Sequence, residues 1–411
     1  MRFQSENHSL NEYISPFFVI TALLITWLVM VSIQLIYILF VFSRTAFENG
    51  NVPAEGRVAA SADQQGVTII VCARNELENL TELLPLLNDQ HYPAFDILVM
   101  DDRSTDGTTA FLEQASKELS QVRFIRIDKE YEHITPKKYA LTIALKQAIH
   151  PIVLLTDADC RPASADWLAG MVAPLVSADK KIVLGFSPYF QRPGLLNLLI
   201  RAETLFTAVQ YFSLALAGRP YMGVGRNLAY RTQLFFENRG FYTHKNVVGG
   251  DDDLFVNEVA TGRNTAICLN PDTFTWSNPK ETWADWRRQK ERHLNVGNYY
   301  KPGHKAQLGL LIGSYVLSWV LGLVVGGTLL GYALGHHPLS ENERLLLRIA
   351  TGAFAGRILA FWGIVGRISY RLGHTVHWAL MPVMDLTLAV YYGIAGAKTL
   401  VTRRKKRIYW R

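Results

Sequence analysis

VTIIVCARNE (Val67–Glu76) opens as a run of β-branched and aliphatic residues and ends abruptly in polar side chains. A run of this kind suits a strand buried on both faces of a parallel sheet. Leu80, Leu83, Leu84 and Leu87 follow at helical spacing across Glu76–Leu87. The pattern then repeats, with strands at Ile97–Met100, Val122–Ile127 and Ile152–Leu155 and helices at Thr108–Leu119 and Lys138–Ile149. Strands alternating with such helices imply βαβ units, so the fold class is α/β with a mainly parallel sheet. Ligands of these sheets bind outside the carboxyl ends of the strands. The first strand ends at Ala73-Arg74-Asn75-Glu76, the second at Asp101-Asp102 and the fourth at Asp157-Ala158-Asp159. Polar groups therefore converge on one edge, which points to a nucleotide or phosphorylated ligand.

Outside this segment the chain is apolar. Phe17 to Phe42 is 26 residues without a charge, and Leu308 to Leu334 is 27. Both exceed the roughly 20 residues needed to cross a bilayer core. The first continues too far to be a cleaved signal peptide. Leu345–Val365 is long enough to span but carries Arg348 and Arg357, and Trp378–Ala397 is apolar apart from Asp385. Charges in a bilayer usually pair or face protein, so Arg357 and Asp385 either face each other between these helices or each snorkel or line water separately. The division expected is an N-terminal transmembrane helix (1–43), a large α/β domain (44–306), a transmembrane region of two to three helices (307–402) and a basic tail (403–411). If the α/β domain is cytoplasmic, the positive-inside rule also draws Arg403–Arg407 inside. Three crossings after the domain would put them outside. A re-entrant last segment, broken at Pro382, Gly393 or Gly396, is one resolution; failure of the charge rule is the other.

Composition narrows the function. The 411 residues hold 42 basic and 35 acidic side chains, a formal charge of +7. Arg403, Arg404, Lys405, Lys406, Arg407 and Arg411 supply six of those positive charges, which leaves no basic face for nucleic acid. Cys72, Cys160 and Cys268 form no CxxC pair, and the histidines show no paired ligand spacing. No GxxxxGK[ST] motif occurs, which argues against a P-loop NTPase. Asp157-Ala158-Asp159, directly after an apolar strand, can offer two carboxylates to Mg2+ or Mn2+, hard cations that bridge acids to substrate phosphates.

VTIIVCARNE, ILVMDDRSTDGT, PKKYAL and LLTDADC, in this order, resemble the nucleotide-sugar half of family 2 glycosyltransferases of the GT-A fold. GVGRNLAYR (Gly223–Arg231), GGDDDLF (Gly249–Phe255) and QKERH (Gln289–His293) resemble the acceptor-side motifs of that family. The resemblance runs from about Val67 to His293, and the flanking helices are similar to its membrane-integrated branch of ceramide glucosyltransferases and polysaccharide synthases. It implies that Ala73, Asn75, Glu76 and Asp101 or Asp102 line the base and ribose pocket. It places Lys137 near the diphosphate, with Lys138 as a substitute one position out of register, and gives the metal to Asp157 and Asp159. The base is the second acid of a pair opening a helix, which in Asp251-Asp252-Asp253 selects Asp252, with Asp251 and Asp253 as alternatives. A plain helix cap, with Asp251 as the capping residue, is the competing reading of these acids. Gln289 and Arg292 belong to the leaving-group motif, and Asn227 and His293 fall on the acceptor side. His293 stands where the family carries a Trp, which puts processive synthesis in doubt.

Two further stretches carry alternatives. Trp283 and Trp286, interleaved with Arg287, Arg288, Lys290 and Arg292, suit a helix on the membrane surface or a core-packed Trp pair. Leu195–Leu216, interrupted by Arg201 and Glu203, suits an interfacial helix slightly better than a core helix. The expectation is an integral, multi-pass inner or plasma membrane enzyme with a cytoplasmic catalytic domain. It would move a sugar from a UDP-sugar to a lipid or membrane-delivered saccharide hydroxyl with inversion. A processive synthase of the poly-N-acetylglucosamine type and an inactive membrane scaffold are the rivals.

Overall fold

The computed structural model describes residues 16–48, 65–177, 179–335, 339–373 and 376–401; the basic tail beyond 401 lies outside them. Chain order begins with a long helix α1 (Pro16–Ile36), one π-helical stretch at Tyr37–Phe42, and a short α2 (Ser43–Ala46). The α/β segment then runs β1 (Val67–Ala73), α3 (Leu77–Asn88), β2 (Phe95–Asp102), α4 (Thr108–Glu118), β3 (Val122–Ile127), α5 (Pro136–Gln147) and β4 (Ile152–Asp157). These are the elements expected from the apolar runs, each shifted by at most a few residues. A second half follows: β5 (Cys160–Pro162), α6 (Trp167–Ser177), β6 (Ile182–Leu184), α7 (Leu195–Leu216), β7 (Leu228–Arg231), α8 (Thr232–Glu237), α9 (Asp253–Val259), β8 (Thr265–Ile267) and β9 (Thr275–Ser277). Four helices complete it: α10 (Trp283–Gly297), α11 (Pro302–Leu334), α12 (Glu341–Arg371) and α13 (Met381–Val401).

Seven strands form one sheet in the order β3-β2-β1-β4-β7-β6-β8. The first four pair in parallel, while β7 runs antiparallel to both β4 and β6. Residues along each central strand alternate between two cores, as the two-residue period demands. Ile69, Val71, Ile97, Val99 and Leu154 pack with Leu83, Leu84 and Trp167 on one face. Ile70, Leu98, Met100 and Leu155 point into the other core, which continues through Phe206 and Phe212 of α7 to Tyr315, Phe361 and Leu388 of the C-terminal helices. The catalytic sheet and the apolar helices thus share one continuous hydrophobic core. Here α7 lies within it, with Ile200, Arg201, Ala202 and Glu203 all buried, so it is a core helix at the junction rather than a surface one.

Among the described residues, four helical segments are long and apolar enough to cross a membrane: Val19–Ala46, Pro302–Leu334, Glu341–Arg371 and Trp378–Lys398. The last is continuous from Met381 to Val401, with Pro382 in its first turn and Gly393 and Gly396 inside it, so it shows no break at the positions one of the two topological resolutions would use. Polar side chains link these helices. Trp27 donates to the Ser318 carbonyl at 2.8 Å, and Gln34 donates to Leu311 O at 2.9 Å and Ser314 Oγ at 2.8 Å. Arg357 and Asp385 meet as a fully buried ion pair, the first of the two arrangements their positions allow. The aromatic rings of Tyr315 and Phe361 cover the Arg357 guanidinium at 5.2 and 5.1 Å. The two tryptophans of α10 divide between the readings offered for them. Trp286 is buried against Tyr391 of α13, with ring centroids 5.4 Å apart, whereas Trp283 is 54% exposed.

Removing one partner of a buried ion pair leaves an uncompensated charge, which costs about 3–5 kcal/mol. Asp385→Leu and Arg357→Leu are each expected to lower the unfolding temperature of the detergent-solubilised protein sharply. The double variant should recover most of the loss. Additive losses contradict a coupled pair.

Candidate active site

The register of the parallel strands sets the site. Ala73 pairs with Asp101 and Cys72 with Asp157, so β1, β2 and β4 finish nearly flush and deliver their polar ends to one edge. Past β1 the chain turns through Asn75 at a positive φ of 57°, and its Oδ1 accepts from Thr105 N at 2.8 Å. Glu76 accepts from Asn79 at 2.7 Å. Its carboxyl is raised above the ordinary value by burial, with Asp159 and Asp157 adding to the effect. Ala73 is buried.

Lys137 opens α5 and joins the two halves of the site. Its Nζ donates to Asp157 Oδ1 at 2.9 Å and lies 3.2 Å from Asp251 Oδ2. Lys138 does a different job. It is fully buried and donates to the carbonyls of His244 and Val247, both at 2.7 Å, tying α5 to the loop that leads into Asp251. That excludes it as a stand-in for Lys137. The loop ends in Gly249 and Gly250, at φ 79° and 73°. A Cβ on Gly250 would sit 2.7 Å from the Leu254 side chain, so glycine is needed for both conformation and space.

The three acids that follow are not equivalent. Asp251 is held below the ordinary carboxylate value despite burial, because Lys137 and Lys138 stand beside it. Asp252 is the N-cap of α9, its Oδ1 accepting from Asp253 N at 2.8 Å. Capping therefore falls to Asp252 and not to Asp251, because Asp251 is turned to Lys137. The other oxygen of Asp252 accepts from Gly225 N at 2.7 Å, an approach that a side chain at 225 would crowd. A carboxylate has about four lone-pair sites, so both oxygens keep capacity for another partner. Burial and the Asp251 charge raise the Asp252 carboxyl above the ordinary range. Burial and Asp252 raise Asp253 well above it; Asp253 accepts from Tyr300 OH at 3.2 Å.

Asp159 is raised by burial and by its neighbour Asp157, with Arg226 and Lys280 opposing. A like-charged pair at a strand end is the arrangement a hard divalent cation relieves. Among the described residues no third His, Cys, Asp or Glu joins the pair as a ligand cluster. Two acids suit a cation that completes its shell with phosphate oxygens and water.

Other expected residues fall differently. Asp101 is fully buried, and its carboxylate accepts from Ser104 N and Thr109 Oγ1, so it holds the turn after β2 and offers no face to a nucleotide. Asp102 is paired with Arg103 at 2.8 Å yet stays within electrostatic reach of Cys72 beside Lys137 and Asp157. Asn227 also departs from expectation. It is wholly buried, its amide donates to the carbonyls of Phe186 and Thr273, and it accepts from Trp167. Every group it owns is used inside the fold, so it makes no acceptor contact. Gln289 donates to Tyr189 OH at 3.3 Å. The stem of Arg292 runs beside Gly249, next to the acidic triplet. His293 is exposed on α10 within electrostatic reach of Arg226 and Lys137. Arg226, inside GVGRNLAYR, is a candidate that the motif alone does not single out; its neighbours Gly225 and Asn227 give no signal of its surroundings.

Residues 68–242 match the model of glycosyl transferase family 2. Over this stretch the chain is similar to glycosyl transferase family 2. A teichoic acid poly(glycerol phosphate) polymerase of Staphylococcus epidermidis is 31% identical over 99 residues, 24% of this chain and 13% of that protein's length. A mannosyltransferase from Pyrobaculum calidifontis, solved with GDP-Man and Mn2+, shares the fold with a TM-score of 0.55 at 20% identity. That match covers 86% of this chain and 98% of the other. A fragment of S. aureus TarS solved with UDP-GlcNAc aligns at 16% identity over 81% and 92% of the two chains, with a TM-score of 0.42. The mainly parallel seven-stranded sheet is GT-A-like.

Burial pulls the Lys138 ammonium down to about 8, against the opposing pull of Asp251 and Asp252. Between about 8 and the ordinary 10.5 the folded protein holds fewer protons at this site than the unfolded chain. Stability from Lys138 therefore rises with pH across that window. The unfolding temperature of wild type is expected to climb relative to Lys138→Met from pH 8 to 10. Parallel curves contradict it.

Proposed function

We propose that this protein transfers a sugar from a nucleotide sugar, UDP-linked, to a hydroxyl of a lipid or membrane-delivered saccharide, inverting the anomeric centre. The observation that carries this reading is Lys137, whose ammonium joins Asp157 of the Asp157-Ala158-Asp159 pair to the buried Asp251, next to the half-buried Asp252. Donor and acceptor chemistry thereby meet around one cation. The continuous core linking the sheet to the apolar helices supports a membrane-delivered acceptor. In this reading the catalytic domain faces the cytoplasm, where nucleotide sugars are made.

An acceptor hydroxyl is a weak nucleophile until its proton is removed. Asp252 takes that proton as the acceptor oxygen bonds to the anomeric carbon and the carbon–oxygen bond to the diphosphate breaks. The products are the glycoside, the nucleoside diphosphate and a proton held first on Asp252. Its raised affinity for protons suits a base, and the Gly225 amide keeps the carboxylate aimed. Lys137 offsets negative charge on the departing diphosphate, and Arg292, whose stem passes Gly249, is the second cation assigned to it in this reading. Asp157 and Asp159 are the residues that would hold Mg2+ or Mn2+, which supplies charge neutralisation to the diphosphate when bound. Ala73, Asn75, Glu76 and Asp102 line the donor edge in this reading.

Asp252→Asn is expected to lower transfer by about 100- to 10,000-fold while nucleotide binding persists. Turnover unchanged from wild type refutes the base. Because burial raises the carboxyl, the acidic limb of kcat/KM should fall at a pH above the ordinary 3.8 of aspartate, activity rising as pH climbs through it. A screen of UDP- and GDP-linked sugars for nucleotide release, with added lipid acceptors, identifies the donor. Chelation should abolish release and added Mn2+ or Mg2+ should restore it. Release insensitive to chelator contradicts the metal assignment.

A further inference from the structure

Arg226 has no role in the reaction as derived above. Its guanidinium lies over the ring of Tyr189, 4.4 Å from the centroid. Nη2 donates to the Ser187 carbonyl at 3.1 Å, whereas Nη1 is buried and has no hydrogen-bond partner among the described residues. An unpaired buried N–H of a charged group is costly, and native structures rarely keep one without a use. Position supplies the use. Arg226 follows directly on Gly225, whose amide holds Asp252, and its charge acts on both Asp159 and Asp157. It therefore adjoins the amide that holds Asp252 and lies within electrostatic reach of the Asp157–Asp159 edge.

The rest of the surroundings fix the guanidinium in place. Tyr189 is buried, and its hydroxyl accepts from Gln289 of α10 at 3.3 Å. Stacking restrains a guanidinium plane, and its planar fork of N–H groups matches the oxygens of a phosphate better than any other common anion. We propose that Arg226 seats a phosphate group of a bound substrate through Nη1, with Tyr189 as its platform and Gln289 as a positioning residue for that platform. The inference rests on the nucleotide-sugar reading above. The sugar-bearing phosphate of the donor and a phosphate on the acceptor lipid offer the same chemistry, and the test separates them.

The full-length protein in detergent is titrated calorimetrically with UDP and UMP in the presence of Mn2+, using wild type, Arg226→Lys and Arg226→Met. GDP and GMP form a parallel pair. The second arm titrates dodecyl phosphate against dodecanol in mixed micelles. Weakening of diphosphate binding by about tenfold or more in Arg226→Met, with monophosphate binding within about twofold of wild type, supports the donor as source. Weakening confined to dodecyl phosphate supports the acceptor as source. In either case Arg226→Lys should fall between, and Tyr189→Leu should shift affinity in the same direction. Unchanged affinities in Arg226→Met overturn the proposal. So does an equal loss for diphosphate and monophosphate, or a loss accompanied by a lowered unfolding temperature that Arg226→Lys shares. Wild type that binds none of the nucleotides is a different result: it removes the nucleotide-sugar reading itself.

Discussion

One ammonium group organises this site. Lys137 sits between Asp157, at the end of a central parallel strand, and Asp251, at the mouth of a distant helix. Three carboxylates in succession at 251–253, with two more at 157 and 159, would repel one another strongly in a buried setting. The charge of Lys137 is held well above its ordinary pKa by those acids, although burial opposes it. It thus stays a cation across physiological pH and lets the two halves of the sheet approach. The second-half elements gain a fixed position from the same contact, because Asp251 is immediately followed by the cap of α9.

Positive charge spaced around acids is a general solution for handling a diphosphate. A carboxylate pair alone attracts a metal but repels phosphate; cations alone bind phosphate but cannot take a proton. Lys137, Arg226 and Lys280 act on the Asp157–Asp159 edge, and Asp252 stands apart from it on the Gly225 amide. The division of labour follows from environment rather than residue type. Asp251, beside two lysines, is pushed to its charged form, while Asp252 and Asp253 next to it are pushed toward the neutral one. Neighbouring aspartates in sequence have become chemically different groups.

The first half of the fold was legible because its strands are long, apolar and buried on both faces, as in Val67–Ala73 and Phe95–Asp102. Leu195–Leu216 was legible as a unit, but its depth was not, since buried Arg201 and Glu203 read as surface signals. Strands β6 and β8, three residues each, carry no measurable period and escaped reading. Site residues were legible where chemistry and a strand end coincide, as at Asp157 and Asp159. Asn227 misled because a polar residue in a motif looks like a contact, whereas its amide satisfies backbone groups that short strands leave open. Which acid caps α9 depended on backbone direction at Gly249-Gly250, a conformational fact with no signature in charge. The Arg357–Asp385 pair was legible as one of two arrangements, because in an apolar helix few partners exist.

The account depends on the Asp157–Asp159 edge holding a cation together with a nucleotide diphosphate. Electron paramagnetic resonance of Mn2+ titrated into the full-length protein tests this directly, with and without UDP, in wild type and Asp159→Asn. The account predicts a bound-manganese signal that strengthens when UDP is added and is lost in Asp159→Asn. Manganese binding that ignores both the nucleotide and the substitution would contradict it.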